Sequence, residues 1–228
     1  MDIPILYEDN HLLVVEKPVN IPVQADQTGD PDLLTMLKED IKIRYQKPGN
    51  VYLGLVHRLD RPVGGVMVFA KTSKAASRLS DAIRRRAFDK KYVAVVRGVP
   101  KERQAKLEHH LWKDQKKNQV YVVPENDPRG KKAILDYKIL GEAKGMSLLE
   151  INLHTGRPHQ IRVQFSNIGC PLYGDQKYGQ AVNKPGQQIA LWASELRFEH
   201  PTTKEWIKVK QAPPHTFPWS IWNDQPSY

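Results

Sequence analysis

The sequence predicts the α+β fold class, with many strands and at least three helices. Apolar and polar residues alternate at 133–139, which is the period of a half-buried strand. Elsewhere apolar residues recur every three or four positions, as they do on the buried face of a helix. Clusters of Pro, Gly, Asp and Asn separate these segments and predict turns. Because neither a repeat nor a flexible linker divides the chain, we expect one domain over 1–228, with a core at about 5–210 and a Pro-rich tail at 211–228.

A strand and a helix begin the chain. The apolar run at 12–15 ends at Glu16-Lys17-Pro18 and predicts a strand followed by a loop. Asp30 offers an N-cap, and Pro31 suits the first helical position. Apolar residues follow at helical spacing, so a helix is predicted over 31–45.

Two predicted strands, at 51–56 and 66–70, flank a segment that does not read as a strand. That segment, 57–65, contains one Pro and two Gly, so it is expected to be a loop. Thr72 or Ser73 then caps a second helix, which has one apolar face and a basic opposite face.

The remaining chain is mostly strand, with one more helix. Strand patterns occur at 92–96, 106–140, 149–153, 189–193 and 206–209. A turn and the start of a third helix are predicted by Thr155-Gly156-Arg157-Pro158, and Gly169 ends that helix. The stretch 170–188 predicts a long loop, and the tail from Ala212 onward is too rich in Pro for regular structure.

Charge and cysteine content narrow the classes of partner. The formal net charge of +10 and the pI of about 9.6 favour a polyanion, and nucleic acid is the commonest such partner. The only cysteine, Cys170, excludes an internal disulfide and a multi-cysteine metal site. No stretch approaches the ~20 apolar residues that span a bilayer. Since the N-terminus also lacks a secretory signal, we expect a cytoplasmic protein without membrane contact.

One segment concentrates the positive charge. Residues 71–97 hold nine Lys and Arg against two Asp, and they include the run Arg84, Arg85 and Arg86. Such a patch suits the phosphates of RNA or DNA. A solvated helix face is the alternative interpretation, because it would have the same composition.

Asp60 is the first candidate for chemistry. The cations Arg58 and Arg61 beside it can keep its carboxylate ionised. An ionised carboxylate held on a loop is a competent nucleophile, although a surface ion cluster would have the same sequence.

Tyr92, the second candidate, begins an apolar strand. Its ring could stack on a base and its hydroxyl could assist a proton transfer. The alternative interpretation is an ordinary tyrosine of a strand.

A second candidate site lies at the start of the third helix. The segment 154–162, which contains Arg157 and His159, places two Arg, two His and one Gln where free N–H groups attract anions. Arg162 follows an apolar residue and could point partly inward, where it would need a carboxylate partner such as Asp60. Contact with phosphate or solvent, without catalysis, is the alternative.

Five segments of the chain, taken in order, resemble a family of RNA-modifying enzymes. They are Lys17-Pro18 with the loop after it, His57 to Lys71, Lys91 to Gly98, Thr155 to Arg162, and Leu196 to Pro201. The family is that of the pseudouridine synthases, and the resemblance is to its branch for large-subunit ribosomal RNA and transfer RNA. It covers the chain from about Ile5 to about Lys210. It implies a curved, mostly antiparallel or mixed sheet in two halves, with flanking helices and a central cleft.

The resemblance also implies roles for individual residues. Asp60 would be the nucleophile, Tyr92 would stack on the target uracil and help remove the C5 proton, and Arg162 would pair with Asp60. Arg58 would fill the stack that the flipped nucleotide leaves. Further contacts to RNA are expected from His57, Arg157, His159, Arg84, Arg85 and Arg86.

The implied reaction is the isomerisation of uridine to pseudouridine. The C1′–N1 bond breaks, the base turns, and C5 bonds to C1′. Nothing is oxidised and no group is imported, so we expect no cofactor, nucleotide or metal. The resemblance is to a short form without the N-terminal S4-like RNA-binding domain, and we expect a monomer that acts on ribosomal or transfer RNA.

Three positions depart from the family pattern. Val63-Gly64-Gly65 stands where Thr-Ser-Gly is usual, which removes two hydroxyls from the loop after Asp60. Asn20 stands where Gly is usual, and Trp192 stands where His is usual. None of these changes removes a proposed catalytic atom. We therefore expect them to affect the choice of substrate and the hydrogen bonds of the loop rather than the chemical step.

The main rival from another functional class is an RNA-binding protein of the same fold without turnover. Asp60, Tyr92 and Arg162, all intact, argue against it. A kinase is disfavoured because Leu59 interrupts the His-Arg-Asp motif and no glycine-rich loop precedes it. A glycoside hydrolase would need a second placed carboxylate, and no residue next to Asp60 in the sequence supplies one.

Overall fold

The computed structural model describes residues 3–222. In that range the chain forms eleven strands, three α-helices and one 3₁₀ helix, which confirms the α+β fold class. In chain order these elements are β1 (Ile5–Glu8), β2 (Leu12–Lys17), α1 (Leu33–Arg44), β3 (Gly54–Leu55), β4 (Gly64–Ala70), α2 (Ser73–Arg84), β5 (Phe88–Arg97), β6 (Gln104–Asp114), β7 (Gln119–Val123), β8 (Lys131–Ala143), β9 (Met146–Leu153), α3 (Gln160–Asn167), β10 (Leu191–Glu199), β11 (Trp206–Lys210) and the 3₁₀ helix (Trp219–Trp222). None of the helices in this range is both long and apolar enough for a membrane span.

The described residues divide into two compact units. Unit one comprises residues 3–89 and 193–211, and unit two comprises residues 90–192 and 212–222. Helices α1 and α2 belong to unit one, and α3 belongs to unit two. The expectation of one domain over 1–228 remains a prediction.

Unit one is a sheet covered by a helix. Its strands follow the order β1-β2-β4-β10, with β3 beside β4 and β11 beside β10. Every residue of the central strand β4 is buried, because apolar side chains pack on it. Val66 and Val68 of β4 form a core cluster with Ala75 and Leu79 of α2 and with Phe198 of β10.

The two helices of unit one begin at polar caps, one of which differs from the prediction. The Thr72 side chain accepts a hydrogen bond from the Ala75 backbone N–H at 3.1 Å, as expected for the cap of α2. The cap of α1 is Asp32, whose carboxylate accepts from the Thr35 backbone N–H at 3.0 Å. The prediction of Asp30 was wrong because that carboxylate pairs with a guanidinium instead.

Unit two is an antiparallel sheet with α3 packed on it. Its strand order is β5-β9-β8-β6-β7, and every neighbouring pair is antiparallel. Residues 133–139 of β8 alternate between buried and more exposed positions, which confirms the predicted strand. Val163 of α3 contacts the core residues Leu111, Val120 and Ala133 of the sheet.

The last two segments of unit two give one confirmed and one corrected prediction. Residues 170–188 contain no helix or strand, as the loop prediction requires. The tail was predicted to lack regular structure, but Trp219–Trp222 form a 3₁₀ helix. Both indoles are buried, and this burial stabilises a turn that Pro content alone does not predict. The predicted tail also includes 223–228, which lie outside the described residues.

Candidate active site

Asp60 lies on the loop that connects β3 to β4, as predicted. The Val63 backbone N–H donates to the Asp60 backbone carbonyl at 2.9 Å, which closes a tight turn directly after the carboxylate. Leu59 is buried, whereas Asp60 is half-buried. The buried Leu59 side chain therefore fixes the turn, and the neighbouring Asp60 carboxylate remains partly accessible.

A fully buried lysine, Lys17, holds this loop in place through hydrogen bonds to its backbone. The Lys17 ammonium donates to the backbone carbonyls of Pro18 at 2.9 Å, Arg61 at 3.0 Å and Val63 at 2.7 Å. Three acceptors match the three donors of an ammonium. Burial lowers the pKa of Lys17 to about 7, and the nearby Asp60 carboxylate acts in the opposite direction. Because two of the carbonyls follow Asp60 by one and three residues, Lys17 fixes the turn that carries the carboxylate.

The loop after Asp60 keeps the glycine of the family pattern and changes the two residues before it. Gly65, the retained glycine, has φ +119°, and a Cβ there would lie 2.3 Å from the Ala193 backbone oxygen, so a side chain cannot be accommodated. The Val63 backbone, rather than a side-chain hydroxyl, serves as an acceptor for Lys17. Asn20 has φ +64°, which is the left-handed conformation that Gly and Asn adopt most readily. The exchange of Gly for Asn therefore preserves the backbone.

The basic residues around Asp60 occupy different environments. His57 is half-buried, and its Nε2 accepts from the Val68 backbone N–H at 3.1 Å. Arg58 is exposed. Arg61 pairs with Asp30 and donates to the Asn20 backbone oxygen at 3.2 Å, so it secures the loop before α1.

The predicted arginine run begins at the last residue of α2. Arg84 and Arg85 both pair with Asp81, so part of their charge is balanced within the helix. Arg86 comes two residues after the helix and has φ +58°. All three arginines are exposed.

In unit two, Arg162 of α3 points inward and has a carboxylate partner that the sequence did not reveal. Its Nε donates to Asp175 Oδ2 at 2.8 Å and its Nη2 donates to Asp175 Oδ1 at 2.9 Å. Both side chains are buried. Burial raises the pKa of Asp175, but hydrogen bonds from Arg162 and from the Tyr178 and Lys177 backbone N–H groups outweigh it, so the pKa lies below its usual value. This fork uses two of the five guanidinium N–H groups, and the pairing of Arg162 with Asp60 remains a prediction.

A buried network of amides fixes the loop before α3. The Thr155 hydroxyl donates to Gln160 Oε1 at 2.8 Å, and the Arg157 backbone N–H donates to the same oxygen at 3.0 Å. Gln160 Nε2 donates to Gln164 Oε1 at 3.0 Å. Gln164 Nε2 in turn lies 2.9 Å from His109 Nδ1 of β6. Gln164 and His109 were not predicted as site residues, because only folding brings β6 and α3 together.

The other predicted site residues of unit two are held by protein contacts. Tyr92 lies in β5 and is buried. Arg157 Nε donates to the Lys132 backbone oxygen at 2.9 Å. His159 has φ +51°, and its Nδ1 lies 2.6 Å from the Tyr178 hydroxyl. Within residues 3–222, no group of three or more His, Cys, Asp or Glu side chains has the arrangement of metal ligands.

Residues 11–167 match the protein family described as RNA pseudouridylate synthase. A Bacillus subtilis relative named as an uncharacterized RNA pseudouridine synthase, YlyB, is 34% identical over 92% of this chain and 69% of its own length. The ribosomal large subunit pseudouridine synthase D of Zymomonas mobilis is 35% identical over 88% of this chain and 66% of its own length. The solved structure of human RNA pseudouridylate synthase domain containing 4 has the same fold, with a TM-score of 0.79 at 23% identity over 96% of this chain and 91% of that chain.

Proposed function

This chain belongs to the RNA pseudouridylate synthase family, and from that membership we propose that Asp60 is the nucleophile with which it isomerises uridine in RNA. The observation that carries the proposal is the family match over residues 11–167, a range that includes Asp60, Tyr92 and Arg162. The local structure supports it, because Lys17 holds the backbone that follows the carboxylate, through the carbonyls of Arg61 and Val63. A nucleophile gains most when its position is fixed before the substrate binds.

The reaction needs one carboxylate and one proton acceptor. The Asp60 carboxylate assists cleavage of the C1′–N1 bond, either by attack on C1′ to form an ester or through a glycal formed by loss of the 2′ proton to the carboxylate. The freed uracil turns and its C5 bonds to C1′; in this step the ester bond to Asp60 breaks on the first route, and the 2′ proton returns to C2′ on the second. The C5 proton then leaves, and N1 gains a proton. Atoms and electrons balance without an oxidant or a donated group.

Tyr92 and Arg162 complete the proposed catalytic set. Tyr92 stacks on the target uracil and assists removal of the C5 proton. Arg162 pairs with the Asp60 carboxylate. The fork with Asp175 supports that role, because it fixes the orientation of the guanidinium.

RNA binding accompanies a conformational change of the substrate. Extruding a nucleotide from a stack costs a few kcal/mol, and Arg58, an exposed cation with a planar head group, fills the vacated stack. The cationic and imidazole side chains proposed to contact RNA are His57, Arg157, His159, Arg84, Arg85 and Arg86.

We propose that the protein works in the cytoplasm as a monomer, without a nucleotide cofactor. The name of the Zymomonas relative favours large-subunit ribosomal RNA as the substrate, ahead of transfer RNA.

The test is release of tritium from RNA labelled at C5 of uridine. Unmodified ribosomal RNA and transfer RNA transcripts are incubated with wild type, with Asp60→Ala, and with Glu142→Ala as a control for an exposed carboxylate in unit two. We expect wild type and Glu142→Ala to release tritium and Asp60→Ala to release none. Equal release by wild type and Asp60→Ala would remove Asp60 as the nucleophile. Sequencing of the product RNA then maps the uridine.

A further inference from the structure

Lys90 lies at the start of β5, two residues before Tyr92. Side chains two residues apart on a strand point to the same face, about 7 Å apart. Lys91, between them, points to the other face, and its ammonium lies 3.6 Å from the Glu150 carboxylate of β9. Lys90 therefore lies on the same face of the strand as Tyr92, whereas Lys91 lies on the other face and pairs with Glu150.

The Lys90 ammonium has a desolvated environment. A Cβ added to Gly156 would lie 3.4 Å from Lys90 Nζ, so the ammonium sits against the loop that precedes α3. Burial lowers the pKa of Lys90 from its ordinary value, and no carboxylate counteracts that effect. Among residues 3–222, no hydrogen bond or ion pair joins the Lys90 ammonium to another group.

Two buried cations of the described chain, Lys17 and Arg162, are compensated, whereas Lys90 is half-buried. Lys17 donates to three carbonyls, and Arg162 forms a fork with Asp175. A desolvated cation without such partners costs free energy in the unliganded protein. Groups that are left in this state cluster at functional sites, where a ligand supplies the missing partner.

We propose that Lys90 binds a backbone phosphate of the RNA beside the nucleotide whose base contacts Tyr92. The inference rests on the proposed function, since the contact of Tyr92 with uracil is part of that function. A compact ammonium with three donors binds phosphate as a point charge. The Gly156 loop packs against one side of the ammonium, where even a Cβ would lie only 3.4 Å from Nζ, so the phosphate binds on the other side. The distance of about 7 Å along the strand is within the reach of a nucleotide from its base to its phosphate.

The first experiment measures the salt dependence of binding to a fluorescein-labelled 16-nucleotide oligouridylate. Wild type is compared with Lys90→Met, with the conservative variant Lys90→Arg, and with Lys91→Met as the matched control. One phosphate contact to a single strand contributes about 0.7 to the slope of log K against log salt concentration. We expect Lys90→Met to lose about that much slope and about tenfold in affinity at low salt, while Lys90→Arg and Lys91→Met keep the wild-type slope.

Thermal unfolding separates a binding role from a structural one. Lys90→Met removes a desolvated charge and replaces it with an apolar side chain of similar length. The midpoint of unfolding should therefore stay the same or rise. A lower midpoint together with an unchanged salt slope would mean that Lys90 supports the fold, and would overturn the proposal.

The second experiment locates the phosphate. A stem-loop that contains the mapped uridine carries a neutral methylphosphonate at one linkage at a time around the target. We expect one linkage whose replacement weakens binding by wild type about tenfold and does not weaken binding by Lys90→Met any further. Additive losses at every linkage would exclude a contact between Lys90 and these phosphates. The salt slope for oligouridylate binding does not depend on turnover. An unchanged slope for Lys90→Met therefore contradicts the Lys90 proposal even where pseudouridine forms. An absence of pseudouridine contradicts the proposed function alone.

Discussion

Lys17 and Arg162 illustrate how single residues position the proposed chemistry. Each is a buried cation that would be costly without partners, and each obtains them from a different part of the chain. Lys17 binds backbone carbonyls and therefore fixes a loop, whereas Arg162 binds one carboxylate and therefore fixes its own guanidinium. The two residues fix the loop that carries Asp60 and one guanidinium of α3.

Replacing Lys17 tests the role of the loop. Lys17→Met leaves the Pro18, Arg61 and Val63 carbonyls without their donor. Loss of these hydrogen bonds and relief of a buried charge act in opposite directions on the free energy of unfolding, so turnover is the better readout. We expect kcat for tritium release to fall at least about tenfold. Lys17→Arg should not restore it, because the site is fully enclosed and a guanidinium is larger than an ammonium. Wild-type turnover by Lys17→Met would refute the positioning role.

Asp175 makes a pH-dependent contribution to stability. Its pKa in the folded protein lies below the unfolded value of 3.8, so the unfolded state binds more protons as the pH falls toward that value. The contribution is therefore present above about pH 4 and is lost as the pH falls through the folded pKa. Asp175→Asn should lower the free energy of unfolding by about 3–5 kcal/mol at pH 7, and the difference from wild type should shrink in acid. Urea unfolding of wild type and Asp175→Asn at pH 7 and at pH 3 gives the free energy of unfolding of each protein. The same difference between the two proteins at both pH values would contradict the expected linkage.

At the scale of secondary-structure elements, the start of α1 shows how tertiary contacts choose between two similar residues. Asp30 and Asp32 are both acceptable caps by type, but Asp30 pairs with Arg61 and leaves the cap to Asp32. Asp32→Ala should therefore lower the free energy of unfolding by about 1 kcal/mol. Asp30→Ala removes an exposed ion pair and should change it by less than about 0.5 kcal/mol. Thermal unfolding of the two variants distinguishes them, and a larger loss for Asp30→Ala would reverse the assignment.

The start of β4 depends on a glycine. Gly65→Ala would place a Cβ 2.3 Å from the Ala193 backbone oxygen, and its φ of +119° disfavours any side chain. We expect the free energy of unfolding to fall by about 2 kcal/mol or more. Gly49→Ala is the matched control, because nothing lies within 4 Å of a Cβ there, and it should be nearly neutral. Equal unfolding midpoints for the two variants would contradict the close approach.

At the scale of the whole molecule, the net charge of +10 should govern the strength of RNA binding. Replacing Arg84, Arg85 and Arg86 together with Ala should lower the salt slope for single-stranded RNA by about 1–2, since each phosphate contact contributes about 0.7 and Asp81 already balances part of this charge. The control removes the same charge at exposed lysines elsewhere, with Lys42, Lys47 and Lys101 changed to Ala. An equal loss of slope in both triple variants would show that only net charge matters.

Much of the fold followed from local pattern. The strand at 133–139, the cap at Thr72 and the loop around Asp60 were predicted because periodicity, capping and turn residues act over a few positions. The 3₁₀ helix at Trp219–Trp222 was missed, because its stability comes from burial of the two indoles rather than from local propensity. A Pro-rich composition carries no information about which tryptophan is buried.

The sequence by itself determined the elements, the family resemblance and the candidate carboxylate. The tertiary structure alone decided which cations are compensated. Two of the carbonyls that bind Lys17 lie 44 and 46 residues away, and the carboxylate that binds Arg162 lies 13 residues away in a loop without periodicity. Such partners depend on where distant segments meet, and no short-range pattern specifies that. The same physical reason explains why Lys90 and Lys91, adjacent and identical in type, differ: the pleat of β5 turns one toward Glu150 and leaves the other against Gly156 without a partner in the described chain.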